Sequence, residues 1–272
     1  MEKYKLIAVD LDGTLIKKDQ TISPHTVDTF MRVQQQGVKI VIASGRPTYG
    51  TAPVADLLHV GDFGGYLLSF NGGEIYDWAN KETLHAVTLD DSVKPFLYES
   101  ARNNGFQIMT YVGNEIVTEY AGNPYIQFTA MRNKMTIRQV PNFLEEVTYP
   151  LSKCMIVGDP TPLHQLELAI QAPLQGKAEA YRSEPFFLEI VPNGIDKARG
   201  LSILLDKIGM KPKDLMAFGD GYNDIPMLQF AGMGVAMGNA ADEVKKAADF
   251  VTRSNEDDGV AFAIEKFVLG FT

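Results

Sequence analysis

Asp10-Leu11-Asp12-Gly13-Thr14 follows directly on the apolar run Leu6-Ile7-Ala8-Val9. Four apolar residues ending in two carboxylates and a Gly-Thr turn read as a buried strand that stops at a reactive loop. In open α/β sheets, ligands bind just beyond the carboxyl ends of strands. An Asp-x-Asp turn alone is a weak signal, because acidic turns often do no more than solvate the loop after a strand. Three further clusters strengthen it: Ser44-Gly45-Arg46 after the β-branched run 38–43, Lys197, and Asp220-Gly221-Tyr222-Asn223-Asp224 after residues 215–219. Lys197 falls in the first turn of a predicted helix, where the macrodipole disfavours a cation. A lysine set against that preference makes sense beside carboxylates or a phosphate.

This set of side chains suits phosphoryl transfer. Carboxylates from Asp10 and Asp220 can hold a hard cation such as Mg2+, which prefers oxygen ligands. Asp10 can attack phosphorus, splitting one hard displacement into two. Asp12, two residues on, can protonate the leaving alkoxide and then deprotonate the attacking water. Ser44 and Lys197 can meet the equatorial phosphate oxygens as charge shifts in the transition state. Mg2+ and Lys197 together would keep the clustered carboxylates ionised.

The elements that must position these residues are legible in the first and last thirds of the chain. Ser23-Pro24 offers a helix cap and a proline at the first helical position, and Gly37 closes that helix. A second strand over 38–43 is followed by a helix through Leu58, and a third strand over 66–70 ends in Asn71-Gly72-Gly73. Asp196 caps a predicted helix from Lys197 to Ile208, with Leu201, Leu204 and Leu205 on one apolar face. Short strands over 215–219, 235–236 and 250–251 and a final helix over 259–268 complete this part. Repeated strand–helix units imply right-handed crossovers and a doubly wound parallel sheet with helices on both faces.

The texture changes between about residues 82 and 185. Alternating strands over 107–111 and 115–119 flank the hairpin signal Val112-Gly113-Asn114, and helical stretches over 92–104 and 161–171 intervene. The reading is an α/β core of residues 1–81 and 186–272 with an α+β module, residues 82–185, inserted into it. The 272 residues, 45% hydrophobic and 22% charged, are enough for both. The net charge of -9 and the lack of a Lys/Arg-rich run argue against nucleic acid or an anionic membrane as partner. No segment has the ~18 apolar residues of a membrane span, and the four-residue apolar run at the start is too short for a signal peptide. The expectation is a cytoplasmic protein, a monomer or weak homo-oligomer. The single cysteine, Cys154, lies in an apolar stretch without Cys/His neighbours and reads as a buried structural thiol.

The four clusters, in order, resemble the four motifs of the haloacid dehalogenase superfamily. The insert resembles the large cap of its Cof-type sugar phosphatases, as do Asn71-Gly72-Gly73 and Phe187-Leu188-Glu189-Ile190 beside it. The resemblance spans essentially the whole chain. It implies that Asp10 is the nucleophile and Asp12 the general acid/base. It also implies that Ser44, Gly45 and Lys197 bind phosphate, and that Asp10, the Asp12 backbone carbonyl and Asp220 bind Mg2+. Asn223 and Asp224 would support the metal or Lys197. The implied activity is hydrolysis of a small phosphomonoester, most simply a sugar phosphate, through an aspartyl-phosphate, under a cap that closes over the core and sets specificity. A sugar phosphomutase and a non-catalytic sugar-phosphate binding protein remain alternatives.

Other residues are less telling. Arg46 suits a phosphate contact or a structural ion pair equally. Tyr125, Arg132, Lys134 and His164 in the insert are candidates for touching a sugar, though surface or packing roles are commoner for such residues. Glu189 suits substrate contact or the junction between core and insert, and Trp78 reads as packing.

Overall fold

The computed structural model describes residues 4–270, which divide into two compact units. Among the described residues the first comprises 4–85 and 196–270, the second 86–195.

The first unit opens with strand β1 (Leu6–Val9), helix α1 (Pro24–Gln35), β2 (Lys39–Ala43), α2 (Thr48–Leu57) and β3 (Tyr66–Ser69). Strands β4 (Glu74–Asp77) and β5 (Glu82–Ala86) follow. The Ser23 side chain accepts the Thr26 N–H to cap α1, with Pro24 at the first helical position. After β5 the chain builds the second unit. There it forms α3 (Val93–Asn103), β6 (Gln107–Val112), β7 (Glu115–Thr118), α4 (Pro124–Asn133), β8 (Thr136–Gln139) and α5 (Phe143–Glu146). Strand β9 (Cys154–Val157), α6 (Pro160–Leu174), β10 (Ala178–Glu184) and β11 (Phe187–Pro192) complete it. The chain then re-enters the first unit with α7 (Lys197–Ile208), β12 (Leu215–Gly219), α8 (Ile225–Phe230), β13 (Met233–Ala236), α9 (Asp242–Lys246), β14 (Phe250–Val251) and α10 (Gly259–Ile264).

In the first unit the strands form one eight-stranded sheet in the order β14-β13-β12-β1-β2-β3-β4-β5. Neighbours from β14 to β3 run parallel, and β4 turns back antiparallel on β3. Alternation along β1 sends Ile7 and Val9 to one face, where they join Phe30, Val33 and Ile264. Leu6 and Ala8 face the other side with Leu201, Leu204 and Leu205 of α7. The sheet is thus doubly wound, with an apolar layer of helices on each face.

In the second unit the sheet order is β10-β11-β9-β6-β7-β8. Its pairings are antiparallel except for β7 with β8. Ile108, Ile156, Leu188 and Ile190 on one face pack with Leu97, Phe143 and Leu163. Cys154 joins this core, fully buried, and burial pushes its thiol up to about 12. The expected end of the insert at residue 185 falls short of this arrangement. Strand β11 pairs with both β9 and β10, so the second unit runs on to Ile195. An apolar strand read on its own does not show which sheet will receive it. Among the described residues no helix is long and apolar enough to cross a membrane.

Close packing between α7 and the turn after β3 brings Lys197 to the end of the sheet. Gly72 has φ +98°, and a Cβ there would overlap the Asp196 carbonyl; a Cβ on Gly200 would press on Leu68 and Gly72. Gly72→Ala is therefore expected to lose about 2–4 kcal/mol in urea denaturation, from positive φ plus overlap. Gly37 has φ +90° with nothing within 4 Å of its missing Cβ, so Gly37→Ala isolates the backbone share, about 1–2 kcal/mol. Equal losses in the two variants would contradict the close approach.

Candidate active site

The loop after β1 is wound tightly by its own backbone. Leu11 O accepts the N–H groups of Thr14, Leu15 and Ile16 at 3.3, 3.0 and 2.9 Å, and the Asp10 N–H reaches across to Phe218 O of β12. Gly13 has φ +86°, and a side chain there would run into the Asp220 carboxylate. The missing Cβ lets the first motif loop lie directly against the last. Thr14 Oγ1 then donates to Asp220 Oδ1 at 2.8 Å.

Lys197, in the first turn of α7, is fully buried between two carboxylates. Its Nζ donates to Asp10 Oδ1 and to Asp224 Oδ1, each at 2.6 Å. Asp10 is 7% exposed and Asp224 1%. The other Asp224 oxygen, Oδ2, accepts the N–H groups of Asp220 and Gly221 at 3.0 and 2.9 Å. Asp224 is thereby spent on holding the lysine and its own loop. Burial would lower the Lys197 pKa, but the charges of Asp10 and Asp224 outweigh it and hold the ammonium above the ordinary lysine value. Asp10 goes the opposite way from a simple ion pair. Burial, opposed by Lys197 and helped by Asp224 and Asp220, pushes its carboxyl up to about 7. Asp220 is also raised, by burial first, against the hydrogen bond from Thr14. Removing one partner from a buried cluster of this kind typically destabilises by about 3–5 kcal/mol.

Asp12 points elsewhere. Its two oxygens accept from Arg46 Nε at 2.8 Å and Nη2 at 2.5 Å, which settles Arg46 as an ion-pair partner here. Ser44, 1% exposed, stands at the end of β2, and its hydroxyl accepts the Arg46 N–H at 3.1 Å. Gly45 lies against the Asn71 carboxamide. Asn223 Nδ2 donates to Asn71 Oδ1 at 3.1 Å, not to a carboxylate or to Lys197. Asn239, just past β13, donates to Gly13 O at 2.8 Å and lies 3.4 Å from Asp220 Oδ2. Its own Oδ1 accepts the Asn255 N–H at 3.0 Å.

The predicted residues Asp10, Lys197, Asp220 and Asp224 thus converge, with Ser44 on the adjoining strand. Sequence reasoning quoted Thr14 and Asn71 within motifs without giving them a role, and passed over Asn239. Asn239 stands past a parallel strand end, as the clusters at Asp10, Ser44 and Asp220 do, so the same signal marked it. The insert candidates are placed in the second unit. Tyr125 stacks on Phe186 with ring centroids 5.1 Å apart, His164 Nδ1 lies 2.9 Å from Glu167, and Glu189 is paired with Lys153. Lys134 ends α4 in a left-handed conformation. Trp78 packs as expected and donates to Asp56 at 3.0 Å.

One carboxylate oxygen from each of Asp10, Asp220 and Asp224 falls within 4.8 Å of the others. Two arguments fit this set to Mg2+. The donors are all hard oxygens. Three carboxylates around one ammonium also leave two negative charges, the complement of a divalent cation. With Asp224 committed to Lys197 and to backbone N–H groups, Asp10 and Asp220 are the side chains left to hold it.

The chain is similar to known proteins over nearly its whole length. A family profile described as haloacid dehalogenase-like hydrolase matches residues 7–264. A haloacid dehalogenase-like hydrolase from Bacteroides thetaiotaomicron superposes with a TM-score of 0.95 at 53% identity, covering 97% of this chain and 99% of the other. BT1666 from the same organism, described among the phosphatases of the haloalkanoate (HAD) superfamily, gives a TM-score of 0.78 at 27% identity over 98% and 96%. By sequence, the Bacillus subtilis (strain 168) enzyme 5-amino-6-(5-phospho-D-ribitylamino)uracil phosphatase YcsE is 31% identical over 265 residues, 97% of this chain and 96% of its own. The chain belongs to the haloacid dehalogenase-like hydrolase family, as an enzyme of its phosphatase kind.

Proposed function

We propose that the chain hydrolyses small phosphomonoesters, sugar phosphates foremost, in an Mg2+-dependent reaction through an aspartyl-phosphate on Asp10. The observation that supports this best is the fully buried Lys197 held between Asp10 and Asp224 at the end of β1, with Asp220 beside them. A cation at that depth meets a dianionic phosphate without competing water, where its charge is felt most.

In this reading Asp10 attacks phosphorus and the ester oxygen departs with a proton from Asp12. Asp12 next takes a proton from water, which attacks the phosphoryl group and frees Asp10 and inorganic phosphate. Lys197, the Ser44 hydroxyl and the Gly45 N–H meet the equatorial oxygens as they gain charge. Lys197 also tethers Asp10, so the nucleophile approaches in one orientation. Mg2+, held by Asp10, Asp220 and the Asp12 carbonyl, would neutralise part of the phosphate charge. Asp224 fixes Lys197, and Asn223 ties the last motif loop to Asn71.

The substrate class rests on two supports. The net charge of -9 leaves anion attraction to this local cluster, which suits a small ester more than an extended polyanion. The name of the Bacillus subtilis relative describes a phosphate ester on the ribityl chain of an aminouracil, a leaving group that is polyhydroxylated where the phosphate is attached. Choice among such leaving groups is assigned to the inserted cap on the family resemblance.

Phosphate release from a panel of small phosphomonoesters is expected to need Mg2+ and to stop with chelator. Asp10→Asn should fall to background, and Asp12→Asn by ~10²–10⁴-fold on alkyl esters. Near-wild-type release from Asp10→Asn would contradict the assignment.

The raised Asp10 pKa gives a pH dependence with a definite sign. In the metal-free protein Asp10 holds its proton up to about pH 7, and only the ionised carboxylate binds Mg2+. Mg2+ affinity by calorimetry is expected to be level above that pH and to weaken below it, by up to about tenfold per unit. An affinity independent of pH across that range would count against Asp10 as a ligand.

A further inference from the structure

The pairing of Arg46 with Asp12 is fork to fork. Nε and Nη2 each meet one carboxylate oxygen, at 2.8 and 2.5 Å, which fixes the plane of the carboxylate as well as its position. Arg46 is itself held on both sides of its backbone. Its N–H donates to Ser44 Oγ at 3.1 Å, and its carbonyl accepts the Phe70 N–H at 3.0 Å. The Arg46 side chain is 11% exposed against 35% for Asp12. The arginine is the anchored inner partner, and the carboxylate is the one that reaches outward.

We propose that Arg46 is a positioning residue that acts through Asp12, and is not itself a phosphate ligand. The proposal rests on the reading of Asp12 as the group that exchanges a proton with the leaving oxygen. The two donors that would grip a phosphate as a fork are committed to Asp12. Without the guanidinium, the Asp12 carboxylate loses the two hydrogen bonds that fix its plane, and more of its orientations miss the ester oxygen. A misplacement of about 1 Å in such a group lowers rates by about 10²-fold. Lysine keeps the charge but not the fork, so it can restore position only in part.

A group that acts through Asp12 matters only where the proton from Asp12 matters. An alkyl phosphate expels an alkoxide, which needs that proton. p-Nitrophenyl phosphate expels a stable phenolate, which does not. The informative quantity is kcat/KM, because it covers the steps up to departure of the leaving group and is blind to later hydrolysis of the aspartyl-phosphate.

The experiment measures kcat/KM for glycerol 3-phosphate and p-nitrophenyl phosphate in wild type, Arg46→Ala, Arg46→Lys, Asp12→Asn and the Arg46→Ala/Asp12→Asn double variant. Arg46→Ala is expected to lose ~10–100-fold on the alkyl ester and less than about threefold on the aryl ester. In the Asp12→Asn background the same change should add less than about threefold on either ester. Arg46→Lys should fall between wild type and Arg46→Ala on the alkyl ester, and it supplies the same ratio if circular dichroism shows Arg46→Ala unfolded. Equal losses on both esters that persist without Asp12 would make Arg46 a phosphate ligand and overturn the proposal. An alkyl-to-aryl ratio unchanged from wild type would overturn it as well. A wild type that releases phosphate from neither of these esters nor any other small phosphomonoester of the panel would defeat the phosphatase reading, a failure seen without any variant.

Discussion

A fully buried ammonium is tenable only against fixed negative charge, and the reactive end of the eight-stranded sheet is organised around that requirement. Lys197 has no contact with solvent and lies 2.6 Å from each of two carboxylates. Isolated, such a group would lose its proton or unfold its surroundings. Three segments far apart in sequence must therefore meet: the end of β1, the first turn of α7 and the loop after β12. Parallel pairing of β1 with β12, in the register Val9 with Phe218, sets Asp10 beside the loop that carries Asp220 and Asp224. The glycines at 72 and 200 admit the helix from the other side. The helix macrodipole opposes a lysine at that position, and two carboxylates overcome it.

The same cluster has an imbalance that points to its chemistry. Three carboxylates share one ammonium; burial first, and the charges of Asp224 and Asp220 after it, keep the proton affinity of Asp10 high although it is paired. A site built only for stability would balance its charges. One that leaves two negative charges near a buried lysine is suited to receive a divalent cation and, with it, an anionic ester. On the proposed reading, the features that make this cluster costly when empty are the ones that make it effective with substrate present.

Much of the first unit was legible because its signals are local. Leu6–Val9 is an unbroken apolar run, Ser23-Pro24 is a cap followed by a fixed φ, and Asp196 accepts the Arg199 N–H at the head of α7. The motif residues were legible because each stands next to such an element. Contacts across loops were not. The Arg46–Asp12 pair spans 34 residues and the Asn223–Asn71 bond 152, and neither residue type dictates its partner. The far boundary of the insert was hidden for a related reason. Phe187-Leu188-Glu189-Ile190 reads as a strand in any sheet, and only its pairing with β9 and β10 assigns it to the second unit. In the second unit α4 has a clear cap in Asn123, which accepts the Tyr125 and Ile126 N–H groups, yet its apolar face is too weak to announce a helix.

The account turns on a covalent bond between Asp10 and phosphorus, and that bond can be trapped. The protein would be mixed with Mg2+ and excess phosphomonoester, quenched in acid, reduced with borohydride and mapped by tandem mass spectrometry. Borohydride converts an acyl-phosphate to an alcohol and leaves free carboxylates alone, so homoserine in place of aspartate at position 10, dependent on substrate, is the predicted result. Full phosphate turnover with position 10 unmodified at every quench time, or homoserine at Asp12 or Asp220 instead, would contradict it.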